Sequence, residues 1–280
     1  MTAFTISSLW RYPVKSMAGE ELNSVDVTAS GLRGDRAYAL VDTANGKVGS
    51  AKSVKRFGEL LKYQAQFVTQ PGSDSVVPPV RITLPDGTSL DSAQPNGQAA
   101  LAAAFGPQVS LRSTAPDGLM LEFAAGTLGG KYAKTTEVPV AGAAPRGTLF
   151  DYACIHILTT SALQRLQEGY PEGQFSIQRF RPNIVVDCAD ESGFVENSWI
   201  GHILAIGPEL ILRVSIPCPR CVMTTLPRVD LLFDSKILRT VARLNTQDLG
   251  EFGNLPCVGV YADVVKPGRI RCGDPVRVGD

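Results

Sequence analysis

Along the first residues Phe4, Ile6 and Ser8 alternate with Thr5, Ser7 and Leu9 before Trp10-Arg11-Tyr12-Pro13. A period of two running into a proline predicts a strand that ends in a turn, with Lys15 and Ser16 just beyond it. Short strands are also expected over Ser24–Thr28 and residues 37–41, and over 81–84 with a partner from Ser89 onward. The Pro85-Asp86-Gly87 turn would join that last pair as a hairpin. An alanine-dense helix is predicted over residues 97–105, stopped by Gly106-Pro107. From 114 to 147 glycine, alanine, proline and threonine follow one another without a sustained period, which reads as a domain junction. Residues 154–158 resume as a buried strand, and Thr159 or Thr160 caps a helix whose Leu163, Leu166 and Tyr170 keep helical spacing. Brief β-branched runs follow at 183–186, Ile203–Ile206, 210–214, 258–265 and 275–278, with one more helix at Lys236–Leu244. The expected class is α+β, predominantly β: two consecutive barrel-like domains at 1–113 and 148–280, joined by the segment 114–147.

At 280 residues the chain has ample length for two cores, and its composition is that of a soluble globular protein. Its 27 basic residues balance its 27 acidic ones, so no global field would hold it on nucleic acid or on an anionic membrane. Neither a spanning apolar run nor a secretory signal is visible, and a cytoplasmic protein is expected. Six cysteines are too sparse for a disulfide scaffold. Nucleotide-binding glycine loops of the GxGxxG and GxxxxGK[ST] kinds are absent.

Chemistry concentrates at Cys218-Pro219-Arg220-Cys221. Zinc would want four soft ligands, yet no second such pair exists, and His156 and His202 stand apart. A thiol–disulfide centre would want a helix after the first cysteine, which Met223-Thr224-Thr225-Leu226-Pro227 does not suggest. A single thiolate on a soft redox metal is a third reading, with Arg220 supplying positive charge beside it. Two buried small hydrophobes in a strand are the fourth. His156 and His202 read as satisfied histidines near the core, and Asp35 and Asp187 as partners for nearby cations.

Five motifs taken in order narrow the choice. They are Tyr12-Pro13-Val14-Lys15-Ser16, Gly31-Leu32-Arg33-Gly34-Asp35-Arg36, Arg179-Phe180-Arg181-Pro182-Asn183-Ile184, the cysteine loop with Thr224-Thr225, and Gly273-Asp274-Pro275-Val276. In this order and over Leu9 to Val278 the sequence resembles MOSC proteins with the family's N-terminal β-barrel domain, the group of the amidoxime-reducing component and its bacterial relatives. The resemblance implies a molybdenum cofactor, a pterin dithiolene with a phosphate tail, and an oxidoreductase that reduces N-hydroxylated small molecules. It implies Cys221 as the metal's thiolate and catalytic ligand, with Cys218 not a ligand. Lys15, Ser16, Arg36, Thr159, Ser161, Arg181, Asn183 and Arg220 match the family's cofactor-facing positions. The alternative it leaves is a cofactor or sulfur carrier with a persulfide on Cys221. No cysteine spacing for an iron–sulfur domain is present, so the expected electron source is a separate ferredoxin-, flavodoxin- or cytochrome-type protein. Arg213, Arg220 and Arg228 are candidates for its docking patch. One departure stands out: where family members carry an acidic, proline-containing turn after the threonines, this chain has the more apolar and basic Leu226-Pro227-Arg228-Val229-Asp230.

Overall fold

The computed structural model describes residues 4–73, 76–113, 120–124, 135–139, 148–188 and 191–279. Seven strands close a barrel: β1 (Phe4–Arg11), β2 (Ile155–Thr159), β3 (Ile184–Asp187), β4 (Ile203–Ile206), β5 (Leu210–Pro219), β6 (Asn254–Lys266) and β7 (Pro275–Gly279). Their order is β2-β3-β1-β7-β4-β5-β6, and β6 returns to β2 through the pairs Ile155↔Ala262 and Ile157↔Val260. Only β2 and β3 run parallel within this ring. Closure leaves no ring strand with an unpaired edge, and the interior fills with β-branched and aliphatic side chains such as Ile6, Ile157, Ile184, Leu204, Leu212, Val260 and Val276.

The rest of the N-terminal half forms smaller sheets around a separate core. Gln64–Phe67, Val80–Thr83 and Ser89–Asp91 make one, and Ala39–Asp42 pairs with Val109–Arg112. The expected hairpin is present, with Gly87 at φ +86° and Thr88 N–H donating to Asp86 Oδ1 at 2.9 Å. Helix α1 (Pro95–Phe105) starts on its proline and lays Leu101 and Phe105 against Leu40, Phe57 and Tyr63. Helix α2 (Thr160–Gly169) is capped by Thr159, whose hydroxyl accepts from Ala162 N–H at 3.1 Å. It packs with α3 (Lys236–Leu244) through Leu158, Ala162, Leu166, Ile237 and Val241.

The predominantly β class and the barrel architecture agree with the sequence expectation. The boundary near 113 is less clean. The opening strand is a stave of the barrel, between β3 and β7, and Ser24–Thr28 pairs with Gly268–Arg271, so residues 4–32 contribute Ile6, Leu9, Val25, Val27 and Leu32 to the barrel core. Strand pairing across that distance leaves no local trace in a sequence. The segment expected as a connection, 114–147, lies outside the described residues apart from the paired strands Met120–Ala124 and Thr135–Pro139.

β5 runs to Pro219, well past the expected 214. Its register shifts between Val214 and Ile216 and again between Pro217 and Pro219, bulges that accommodate residues with no ladder N–H to give. They deliver the chain to the cysteine loop at the barrel rim, where Val222, Met223 and Leu226 pack on Ala51, Val54 and Leu61 of the N-terminal half. Among the described residues no helix is long and apolar enough to cross a membrane.

Candidate functional site

The cysteine loop divides its two sulfurs. Cys218 ends β5 and is 1% exposed, whereas Cys221 lies beyond the strand and is half-buried. Arg220 turns back between them: its Nη1 donates to Cys218 Sγ at 2.8 Å and its Nη2 to the Phe180 carbonyl at 2.6 Å. Tyr261, one strand over on β6, also bonds Cys218 and stacks on Tyr152 with ring centroids 5.6 Å apart. After Cys221 the chain makes only the short 3-10 turn Val222–Thr224, closed by the hydroxyls of Thr224 and Thr225 on the carbonyls of Cys221 and Val222. No long helix follows the loop, and no three His, Cys, Asp or Glu side chains gather into a metal-holding group among the described residues. Neither the zinc reading nor the thiol-exchange reading gains support.

Cations surround the loop. From the N-terminal half, Lys15 donates to Asp151 Oδ1 at 2.5 Å and to the Leu149 carbonyl at 2.6 Å, and Lys52 pairs with the other oxygen of Asp151 at 3.0 Å. Burial works against charge at all three. It lowers the Lys15 pKa outright, but the two ammonium groups outweigh it at Asp151, which stays far below the ordinary carboxylate range. At Lys52, Asp151 and Cys221 together outweigh burial and the pKa is raised. Arg36 pairs with Asp35, and the guanidinium carbons of Arg36 and Arg181 lie 4.4 and 4.2 Å from the centre of the Tyr12 ring. Burial, and then Arg36, pull Arg181 down to about 10. Asp35, Asp151 and the cysteines supply the opposing charge.

The backbone is strained here. Among the described residues the non-glycine positions with positive φ are Ser16 (66°), Arg36 (49°) and Arg181 (57°), three of the positions matched to cofactor contacts. Such conformations cost on the order of 1–3 kcal/mol each and persist where the surroundings over-determine them. At Ser16 the surroundings are Ala51, whose N–H donates to Ser16 Oγ at 3.0 Å and so fixes the segment bearing Lys52.

Asn183 spends its amide inside the fold. Its Oδ1 accepts from His156 N–H at 3.1 Å, and its Nδ2 donates to Asp35 at 2.8 Å and to the Trp10 carbonyl at 3.3 Å. Asp35 also accepts from Tyr12 N–H at 2.8 Å, so the Asp35–Asn183 pair locks three sequence motifs together. Thr159 and Ser161 share a 3.1 Å contact, and Thr159 donates to Glu196 at 2.5 Å in a buried network that includes Gly259 N–H. Their hydroxyls therefore face Glu196 and each other.

Sequence reasoning missed Tyr12, Lys52, Asp151, Arg179 and Tyr261. Arg179 is 2% exposed and donates to the carbonyls of Gln174, Thr224 and Leu232, pinning the cysteine loop from beneath. The patch of Arg213, Arg220 and Arg228 does not form: Arg228 is 6% exposed with its guanidinium on the carbonyls of Arg179 and Met223, and Arg220 is mostly turned inward. His156 is buried as expected. His202 is not a core residue: it is half-buried, its ring 3.1 Å from the Gly279 carbonyl.

Two family models cover most of this architecture: the MOSC domain matches residues 145–277, and the MOSC N-terminal beta barrel domain matches residues 3–75. The chain belongs to the MOSC family. Among curated MOSC relatives, mitochondrial amidoxime reducing component 2 of Homo sapiens is 28% identical over 290 residues, covering 97% of this chain and 82% of the relative. The Bos taurus protein of the same name is 26% identical over 291 residues, with the same coverage. Of solved structures, the YUAD protein from Bacillus subtilis overlays 99% of this chain and 95% of its own, with a TM-score of 0.46 and 12% identity.

Proposed function

We propose that the protein is a molybdenum-cofactor-dependent oxidoreductase that reduces N-hydroxylated small molecules. The observation that carries the reading is the concentration of Lys15, Lys52, Arg36, Arg181 and Arg220 beside the half-buried Cys221, paired with only two carboxylates, Asp35 and Asp151. Excess buried positive charge of this kind suits an anionic cofactor. The buried Nε of Arg220 has no hydrogen-bond partner, a donor available to such a group. The names of the amidoxime-reducing relatives support the choice of substrate.

In this reading Cys221 gives the metal its soft protein ligand. Lys15, Arg36, Arg181 and Arg220 face the anionic pterin and its tail, and Ser16 and Asn183 act one step back by holding Lys52 and Asp35 in place. Thr159 and Ser161 serve the cap of α2 and the buried Glu196 instead of the cofactor. When bound, the cofactor supplies the two-electron chemistry that takes oxygen from the substrate. Tyr261 and Tyr152 wall the Cys218 side, and Arg220 keeps Cys218 occupied so that Cys221 is the sulfur left available. Electrons come from a separate ferredoxin-, flavodoxin- or cytochrome-type protein. We place the protein in the cytoplasm, where its six cysteines, all free here, stay reduced.

The test is metal and pterin analysis of purified protein together with turnover of an N-hydroxylated substrate on an artificial electron donor. Near one molybdenum per chain with turnover is the expected result. Metal-free protein that takes labelled sulfur onto Cys221 would replace the reductase by a sulfur or cofactor carrier.

A further inference from the structure

The turn Arg179-Phe180-Arg181 is ringed by arginines. Its three successive carbonyls each accept from a different guanidinium: Arg179 from Arg228 at 3.0 Å, Phe180 from Arg220 at 2.6 Å, and Arg181 from Arg36 at 3.5 Å. A carbonyl satisfies a hydrogen bond but leaves the charge uncompensated. Asp35 answers Arg36, whereas Arg228 and Arg181 are hydrogen-bonded only to backbone carbonyls among the described residues. Burial, and then mutual repulsion, hold Arg228 down to about 9.

Two donors in this cluster have no partner. Tyr12 is 2% exposed, lies against both Arg181 and Arg36, and its hydroxyl makes no hydrogen bond; nor does the buried Nε of Arg228. The charge on Arg228 is felt at the Tyr12 hydroxyl along with those of Arg181 and Arg36, which places the three cations around one phenol. Buried orphan donors are uncommon in native proteins and call for a specific account. Arg228 also stands in the stretch where this chain replaces an acidic turn by a basic one.

We propose that Tyr12, Arg181 and Arg228 form a binding subsite for a phosphate-class oxyanion. The phenol O–H and the Arg228 Nε–H are its unspent donors, and the guanidinium of Arg181 provides neighbouring charge. In the loaded protein the occupant is the phosphate end of the cofactor, an assignment that rests on the function proposed above; a free inorganic oxyanion offers the same chemistry.

Tyr12→Phe removes the hydroxyl and keeps the ring on which both guanidinium groups lie, so it tests the subsite even if Arg228→Met fails to fold. Full-length cofactor-free protein is titrated with inorganic phosphate and followed by thermal shift, and molybdenum and pterin are counted in protein from a cofactor-producing host. Arg213→Ala, exposed on β5, is the control. The expected result is a roughly tenfold loss of phosphate affinity in Tyr12→Phe, a larger loss in Arg228→Met, no change in Arg213→Ala, and reduced cofactor content in the first two. Wild type that purifies empty but binds phosphate through Tyr12 keeps the subsite and removes the molybdenum reading. Loss of phosphate binding with normal cofactor loading keeps the subsite and assigns it to a free oxyanion. Wild-type phosphate response and wild-type loading in Tyr12→Phe overturn the subsite and leave the molybdenum reading standing.

Discussion

Arg220 reaches back to Cys218, its Nη1 2.8 Å from that sulfur, and does not reach forward to Cys221. The arginine between the two cysteines thus fixes the buried one as a structural acceptor and leaves the half-buried one for chemistry. Cys221→Ala is expected to cut N-hydroxy reduction at least a hundredfold and to empty the metal site, with unfolding free energy within about 0.5 kcal/mol of wild type. Cys218→Ala should keep most of its molybdenum and cost about 1–3 kcal/mol, because a buried guanidinium N–H and the Tyr261 hydroxyl lose their acceptor. Urea unfolding and metal analysis on both variants check this, and the reverse pattern would exchange the two roles.

Arg179 carries no chemistry in this account and should behave accordingly. Its guanidinium ties Gln174, Thr224 and Leu232 together from a fully buried position, so Arg179→Met orphans three carbonyls. A loss of about 3 kcal/mol or more is expected by urea denaturation. A variant as stable as wild type would show that the cysteine loop holds its shape without the arginine.

Burial, and secondarily the charge of Arg220, push the His156 pKa down to about 3, so the ring is neutral in the folded protein at any ordinary pH. The unfolded chain protonates it near 6.5, binds more protons than the folded one between those values, and stability therefore falls as the pH is lowered through that window. From pH 7 to pH 5 the loss attributable to this residue is about 2 kcal/mol. Glu196 is shifted upward by burial and works in the opposite direction, but it is common to wild type and variant. Unfolding free energies of wild type and His156→Gln across that range should differ in slope by the stated amount; parallel curves would mean that the ring is protonated inside the fold.

Much of the strand and helix pattern was legible. Ser24–Thr28, Ile203–Ile206 and Lys236–Leu244 fall where their hydrophobic periods put them, because each is set by its own local pattern. β5 was read short because Pro217 and Pro219 signal a break, and only the bulges opposite β6 explain how the strand continues through them. The motif residues do converge on one region, yet the contacts that organise it are invisible in sequence: Lys15 meets Asp151 across 136 residues, and nothing near Ala51-Lys52 marks that lysine. Arg228 misled for a physical reason. A charge in a turn ordinarily lies in water, and here two carbonyls of the fold draw it inside.

Gly259 marks the closest approach between β6 and β2. It has φ +76°, and a Cβ there would lie 2.4 Å from both His156 Nε2 and the Ile157 carbonyl, while its N–H donates to Glu196. Gly259→Ala should cost roughly 2–4 kcal/mol through strain and displacement of β2. A melting temperature unchanged from wild type would show that β2 yields at no expense.

The stave formed by Phe4–Arg11 imposes an order of events on a newly made chain. Its neighbours in the ring are Ile184–Asp187 and Pro275–Gly279, so the first strand to leave the ribosome has no complete place to dock until the last is made. At about 5–20 residues per second that wait is on the order of tens of seconds. For that time an alternating, half-apolar ribbon is exposed with both edges open, which makes chaperone occupancy of the N-terminus, and its sensitivity to the speed of translation, a direct consequence of how the ring is closed.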